Sequence, residues 1–301
     1  MLYLTEADVR SLLPMREAIH LVREGFKEFA AGRAQNQPRR RLILPEGSVL
    51  HSMAGSFGAY FGTKIYSTHR QHGAHFFFLL FDAPTAAPLA MMEANYLGQI
   101  RTGAASGYAT DLLAAPEASI LSVIGTGFQA ESQIEAVRAV RPIHEVRVWG
   151  RDAARRQRFA EKINAAAAIT AEEAVRGAHV IITATNARDP VLASDWIAPG
   201  THINAVGSNV ANRRELPADL IARAGLIAAD SVEQAHIEAG DLIVAGDWSR
   251  VVELRDIPRG HQPDRITIFK SVGLGLEDVA CGGWVYEKAL QQGLGHRMTY
   301  S

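Results

Sequence analysis

Residues 120–130, Ile-Leu-Ser-Val-Ile-Gly-Thr-Gly-Phe-Gln-Ala, run an apolar strand into Gly125-x-Gly127-x-x-Ala130 and the start of a helix. These residue types suit the pyrophosphate of a dinucleotide. Gly125 permits a tight turn, Gly127 lets the backbone approach the anion, and Ala130 lets helix pack closely on strand, with the free amides of the helix start aimed at the phosphates. Thr126, Phe128 and Gln129 fill the variable positions of the turn and are its accompanying cofactor contacts. The pattern alone is weak, because glycine turns also join strands to helices where nothing binds. Its context is stronger: residues 145–149, Glu-Val-Arg-Val-Trp, read as a second strand about 20 residues on, with 129–140 as the crossover helix.

The end of that second strand bears on which cofactor binds. A carboxylate there would accept hydrogen bonds from the ribose 2′-hydroxyl of NAD, but this chain places Gly150 and Arg151 there, with Arg155 and Arg156 one helical turn later. A 2′-phosphate would meet positive charge, so NADP(H) is favoured and NAD(H) possible. The plainer reading makes Arg151 a solvated helix-start residue and Asp152 an N-cap.

These residues need a scaffold. After residue 119, strands at 120–124, 145–149, 180–184, 201–206, 226–229 and 266–269 alternate with helices, which predicts a parallel, doubly wound sheet. Ligands of such sheets bind beyond the carboxyl ends of the strands, where Thr185, Val206 with the 205–209 loop, Asp230 and Ser271 fall. Before residue 119, two helices are expected. Thr5 caps the first with Asp8, and the second runs from Pro14 to Gly32 with core positions Ala18, Ile19, Val22, Phe26 and Phe29. Short strands follow at 41–44, 49–53, 63–66, 75–81 and 89–92, then a small-residue helix at 95–113. The expected architecture is α/β: a Rossmann-like domain at 115–276 and an α+β domain with a mainly antiparallel sheet at 1–114, joined by a C-terminal helix within 277–301.

Composition excludes several classes. With 31 Lys+Arg against 32 Asp+Glu the net charge is -1, so no global field favours nucleic acid or an acidic membrane. Hydrophobic residues make up 48% and charged ones 21%, ordinary for a globular protein, and no apolar run approaches a membrane span. The N-terminus lacks the basic start and apolar core of a secretory signal. The single Cys281 excludes an intrachain disulfide, and a reducing, cytoplasmic setting is expected. His69, His72 and His75 recur in steps of three, which places them on no common strand face, so no metal site is expected.

Beyond the glycine turn, Gln99-Ile100-Arg101-Thr102-Gly103-Ala104-Ala105-Ser106, Gly62-Thr63-Lys64, Ala229-Asp230, Glu238-Ala239-Gly240-Asp241-Leu242 and Phe269-Lys270-Ser271-Val272-Gly273 form a set in fixed order. With them the chain resembles the ornithine cyclodeaminase and mu-crystallin family over residues 4–295. The resemblance implies a homodimer pairing sheets of the first domain, with nicotinamide and substrate meeting between domains. It implies that Arg41, Lys64 and Arg101 surround the substrate carboxylate and that Asp230 is the catalytic aspartate, with Lys64 also able to polarise substrate. It adds Arg101 and Thr102 to the cofactor contacts. The expected activity is reduction of a small α-imino acid or cyclic ketimine carboxylate, or oxidation of the matching amino acid. Alternatives are ornithine cyclodeamination with catalytic NAD and a non-catalytic, NADPH- and ligand-binding role like that of mu-crystallin. Family members that cyclise ornithine carry an acid two positions before the methionine matching Met53. Here that residue is His51, which cannot supply a fixed negative charge for a distal ammonium.

Overall fold

The computed structural model describes residues 1–207, 209–257 and 264–299; Ser208 of the 205–209 loop lies outside them. The elements begin with β1 (Leu2–Leu4), α1 (Glu6–Leu12), α2 (Met15–Ala30), β2 (Gln35–Asn36), β3 (Arg40–Ile43), β4 (Val49–Phe57), β5 (Tyr60–His69), β6 (Gly73–Asp82), β7 (Pro88–Glu93) and α3 (Asn95–Leu113). Next come β8 (Ile120–Ile124), α4 (Phe128–Val140), β9 (Glu145–Trp149), α5 (Ala153–Ile163), β10 (Ala166–Ala167), α6 (Ala171–Val175), β11 (Val180–Thr183) and β12 (His202–Ala205). The chain continues through α7 (Ala218–Arg223), β13 (Leu226–Ala229), α8 (Val232–Glu238), α9 (Gly240–Ala245), β14 (Val251–Glu253), β15 (Thr267–Lys270), α10 (Gly275–Gln292) and β16 (His296–Arg297).

The chain divides into two compact units, one of 1–102 with 273–301, the other of 103–272. The first division falls inside α3, between Thr102 and Gly103, where composition places it after the helix; the second falls at 272/273, ahead of the expected 276/277. The sequence carries no mark of the first crossing because Ala104, Ala105, Ser106 and Ala109 are all fully buried, leaving α3 without a polar side whose change could signal it.

In the first unit the sheet runs β16-β1-β7-β6-β5-β4-β2, with β3 also pairing β4, and is antiparallel except for β1 against β7. Thr5 caps α1 through the expected reciprocal bonds with Asp8. Helix α10 lies directly on the sheet. A Cβ on Gly55 of β4 would come 2.5 Å from the Leu276 nitrogen, and one on Gly275 would come 2.6 Å from the Ala54 carbonyl. Only this glycine pair lets the start of α10 press on β4 so closely, which fixes the height of its first turn above β5.

In the second unit the sheet runs β10-β9-β8-β11-β12-β15-β13-β14, with every pairing parallel. Val180, Ile181, Ile182, Ile203, Ile227 and Ile268 are buried, as strands covered on both faces require. Chain order reverses between β8 and β11. That is the switch point, and the glycine turn after β8 and Thr185 after β11 stand at its carboxyl edge.

Candidate functional site

The turn after β8 has the shape its residues dictate. Gly125 has φ +119°, a left-handed conformation, and any Cβ there would collide with the Ala184 carbonyl oxygen. Its nitrogen donates to the Trp149 oxygen at 2.8 Å, tying the turn to the end of β9. Gly127 caps α4 without a side-chain acceptor, and the Ala130 nitrogen donates back to the Gly127 oxygen at 3.2 Å, closing the first turn. These features fit a dinucleotide pyrophosphate: a backbone turn with no room for a side chain at Gly125, and a positive helix end that carries no side-chain cap. Thr126 and Gln129 are half-buried around it and Phe128 is exposed.

At the end of β9, Gly150 sits against Thr126, 3.1 Å separating the Thr126 Cγ2 from a Cβ that Gly150 lacks. Asp152 caps α5, accepting from the Arg155 nitrogen at 2.8 Å. Arg155 Nε donates to the Thr126 oxygen at 3.2 Å and an Arg156 NH1 donates to the Gly150 oxygen at 2.8 Å, so these two arginines brace the loop. Arg151 is exposed and has no hydrogen-bond or ion-pair partner among the described residues.

A buried carboxylate organises the neighbouring loops. Glu215 Oε1 accepts from the Thr185 nitrogen (2.6 Å) and hydroxyl (2.7 Å), and its Oε2 from the Gly207 nitrogen (2.8 Å) and Thr183 hydroxyl (3.0 Å). The loops beyond β11 and β12 are thereby pinned together, and Val206 joins them through its amide to the Thr183 oxygen at 2.9 Å. Asp241 Oδ1 in turn accepts from the nitrogens of Glu215 (2.6 Å) and Leu216 (2.9 Å), while its Oδ2 pairs with Lys270 Nζ at 2.9 Å. Burial and the Asp241 charge push the Glu215 carboxyl up, against the pull of Lys270 and Thr185. Asp230, at the end of β13, is fully buried. It accepts from the Val272 nitrogen at 2.9 Å to either oxygen, the Ser271 hydroxyl at 3.2 Å and the Ser231 nitrogen at 3.1 Å. These donors fix its orientation.

The first unit holds the basic residues. Lys64 of β5 is 2% exposed, and its Nζ lies 2.9 Å and 2.8 Å from the two carboxylate oxygens of Asp278 in the first turn of α10. Arg101 of α3 donates through Nε to the same Asp278 at 3.1 Å and through NH1 to Glu277 at 2.7 Å. Asp278 is the one hydrogen-bonding partner of Lys64 among the described residues, so an ammonium with three donors has capacity for another acceptor. Burial, with Arg101 and Arg39 adding repulsion, pushes Lys64 down to about 8 despite Asp278. Thr102 bonds back to the Gly98 oxygen at 2.7 Å.

Arg41 of β3 is half-buried and pairs in register with His51 of β4. The His51 ring stacks on Tyr66 at 4.2 Å, and Tyr66 on Phe76 at 4.8 Å, a row across β4, β5 and β6. By strand alternation Arg41, His51, Tyr66 and Lys64 share one face of the sheet. Burial, then the charges of Arg41 and Arg39, pushes His51 down to about 4, so the ring is neutral at pH 7.

Lys64, Arg101 and Arg41 thus belong to the first unit with Thr102, and the glycine turn, Gly150, Arg151, Thr185, Val206, Asp230 and Ser271 to the second. Several functional residues were not evident from sequence. Glu277 and Asp278 resemble ordinary acids at a helix start, although two charges inside the apolar run 272–285 are a signal. Glu215 follows Arg213 and Arg214 in a segment that reads as solvated. Arg39, which precedes β3, is more buried than Arg41. His69 and His72 stack at 4.6 Å at the β5–β6 hairpin, and among the described residues no three His, Cys, Asp or Glu side chains are grouped to hold a metal. No helix of the described residues is long and apolar enough to cross a membrane.

The chain is 36% identical to Δ1-pyrroline-2-carboxylate reductase of Bacillus cereus over all of both chains. Among solved structures it matches the Thermococcus litoralis Δ1-pyrroline-2-carboxylate reductase in complex with NADH and L-proline, with 33% identity, TM-score 0.95 and 99% and 100% of the two chains covered. An archaeal alanine dehydrogenase dimer with bound NAD matches with 33% identity, TM-score 0.94 and 100% and 99% covered. The model of the ornithine cyclodeaminase/mu-crystallin family matches residues 1–293, and the chain belongs to that family.

Proposed function

We propose that this protein is an NAD(P)H-dependent reductase of small α-imino acids or cyclic ketimine carboxylates, able to oxidise the matching amino acid in reverse. One observation carries most weight: Lys64 is buried, paired to one carboxylate, and keeps donor capacity beside Arg101. A substrate carboxylate taken out of water needs such charge-assisted partners, a compact ammonium and a guanidinium fork. The nicotinamide, when bound, supplies or accepts the hydride at the substrate α-carbon. Lys64, Arg101 and Arg41 hold the substrate carboxylate and so orient that carbon. Asp230, held by the Val272 and Ser231 amides, handles the proton on the substrate nitrogen. Arg101 and Thr102 also contact the cofactor, with Gly125 to Gln129, Gly150, Arg151, Thr185, Val206 and Ser271.

Two finer assignments complete the reading. NADP(H) is preferred over NAD(H): Arg151 is uncommitted, and Asp152, the nearby carboxylate, is occupied as a helix cap. The protein is a homodimer, supported by Leu42, Leu50, Phe61 and Phe77, exposed apolar residues on the sheet face opposite Lys64. A cytoplasmic setting accords with the cofactor and the lone cysteine.

Cofactor oxidation measured with NADPH and with NADH against pyrroline-2-carboxylate, piperideine-2-carboxylate, and pyruvate with ammonia or methylamine tests the whole reading. Turnover of an imino acid is expected, faster with NADPH, with Arg151→Ala narrowing the preference about tenfold. Release of ammonia from ornithine with catalytic NAD and no net reduction identifies a cyclodeaminase instead, and tight NADPH binding without turnover of any of these compounds identifies a binding protein. Neutral His51 beside Arg41 opposes the cyclodeaminase outcome, since it offers nothing anionic to a distal ammonium.

A further inference from the structure

Asp278 is fully buried, and both of its oxygens are directed at basic residues. Its position is set by packing: the Gly55 and Gly275 contact presses the α10 start onto β4, and the first turn then lies above Lys64. A carboxylate in this first turn is also favoured by the positive end of the α10 dipole. We infer that Asp278 is a positioning residue for the substrate-carboxylate site, its oxygens aligning the Lys64 ammonium and the Arg101 guanidinium side by side for one incoming carboxylate to bridge. This rests on the roles given to Lys64 and Arg101 above. Asp278 touches neither substrate nor cofactor in this scheme; it acts through the two cations.

The same contact sets the charge of Lys64. Lys64 is faced by Asp278 from α10, Arg101 from α3 and Arg39 from the segment before β3. Glu277 on α10 is engaged by Arg101, and the neighbouring Cys281 thiol, pushed up by burial and by the charges of Asp278, Glu277 and Glu17 of α2, stays neutral. Asp278 is thus the acid that opposes burial and two positive charges at Lys64. Removing its charge moves the Lys64 pKa further below about 8, so Lys64 loses its proton at lower pH.

The test is steady-state kinetics with pyrroline-2-carboxylate and NADPH from pH 6 to 10 on the full-length protein and on Asp278→Asn, Asp278→Glu and Lys64→Met, with NADPH affinity measured by fluorescence. In the unsubstituted protein kcat/KM should fall above about pH 8. Asp278→Asn should raise the imino-acid KM about tenfold or more while changing kcat less. It should also move the alkaline limb to lower pH and weaken NADPH affinity, through Arg101, less than it raises the imino-acid KM. Asp278→Glu, which keeps the charge, should keep the limb near its original pH. An unmoved limb and KM in Asp278→Asn overturn the inference, as does a uniform loss of kcat at every pH, which marks a merely structural role. If Asp278→Asn does not fold, a limb displaced in Asp278→Glu, whose charge is intact, overturns it equally. An unchanged KM in Lys64→Met overturns the reading of the site and the inference together; a raised KM there with a native profile in Asp278→Asn overturns the inference alone.

Discussion

Lys64 and Lys270 invite comparison because they begin alike. Each is a buried strand lysine, the first on β5 and the second closing β15, and each meets an aspartate from a helix's first turn at 2.8 Å or 2.9 Å. Their surroundings then diverge. Around Lys64 the cations cluster, with Arg101 sharing its aspartate and Arg39 within electrostatic reach, and the ammonium retains donor capacity. Around Lys270 the acids cluster, and their oxygens are taken up: Glu215 accepts four hydrogen bonds from two loops and Asp241 two backbone amides besides the lysine. A buried ionic group with its valences filled is a fastening. One with donors left over, in a protein that binds a small anion, is a receptor. Burial and ion-pair distance do not separate the two; the charges gathered around each pair do, cations at Lys64 and acids at Lys270.

The largest effect should come from breaking the fastening. Lys270→Met leaves Asp241 buried without its cation, which costs about 3–5 kcal/mol. The main thermal transition should fall by roughly 10 °C, at about 2–4 °C per kcal/mol. Lys64→Met leaves Asp278 still bonded to Arg101, so it should lower the melting temperature less than Lys270→Met, while kcat/KM for the imino acid drops roughly a hundredfold or more. Melting curves and kinetics on both variants decide the matter. If the effects are exchanged, with Lys270→Met stable but inactive and Lys64→Met unfolded, the assignment of receptor and fastening is reversed.

Glu215→Gln sharpens the comparison at smaller scale. The amide keeps one acceptor oxygen but turns an NH2 group toward two of the four donors, a loss of about 1–3 kcal/mol. Because Thr185 and Gly207 lie on loops at the nucleotide edge, NADPH affinity should weaken more than imino-acid KM changes. Calorimetric titration with NADPH measures the first, and a KM shift larger than the affinity loss would falsify the loop-fastening role.

How much of this was legible beforehand depended on whether local pattern or distant packing decides a residue's role. The glycine turn, the Thr5 and Asp8 cap and α3 at exactly its expected bounds are dictated within a few residues of themselves. Strands β2, β10 and β16 are two residues long, too short for any periodicity to register. Asp278 and Lys64 are 214 positions apart, and the approach of their elements depends on two glycines whose partners no local pattern names. In the arginine run at 39–41, Arg40 and Arg41 open β3 and Arg39 precedes it, yet Arg39 is the most buried of the three, a depth that no local pattern announces. Glu215 is the extreme case, since its four donors come from three separate positions around β11 and β12.

The smallest expected effect tests whether the receptor side is as positive as the comparison requires. His51 is pushed down to about 4, first by burial and then by Arg41 and Arg39. Because its folded value lies below the ordinary 6.5, the neutral ring contributes stability that is present above pH 6.5 and is lost as pH falls toward 4, the unfolded chain taking up its proton first. Arg41→Gln removes one of the two charges and leaves burial in place, so the His51 imidazole should titrate roughly half a unit higher. The acid loss of stability should still begin near pH 6.5 but be slightly smaller in total. The C–H proton signal of the ring, followed by NMR from pH 7 to 3.5 in both proteins, reads this directly. A His51 titration indifferent to Arg41 would mean that the Arg41 charge is screened from this face, and the positive field around Lys64 would then rest on Arg39 and Arg101 alone.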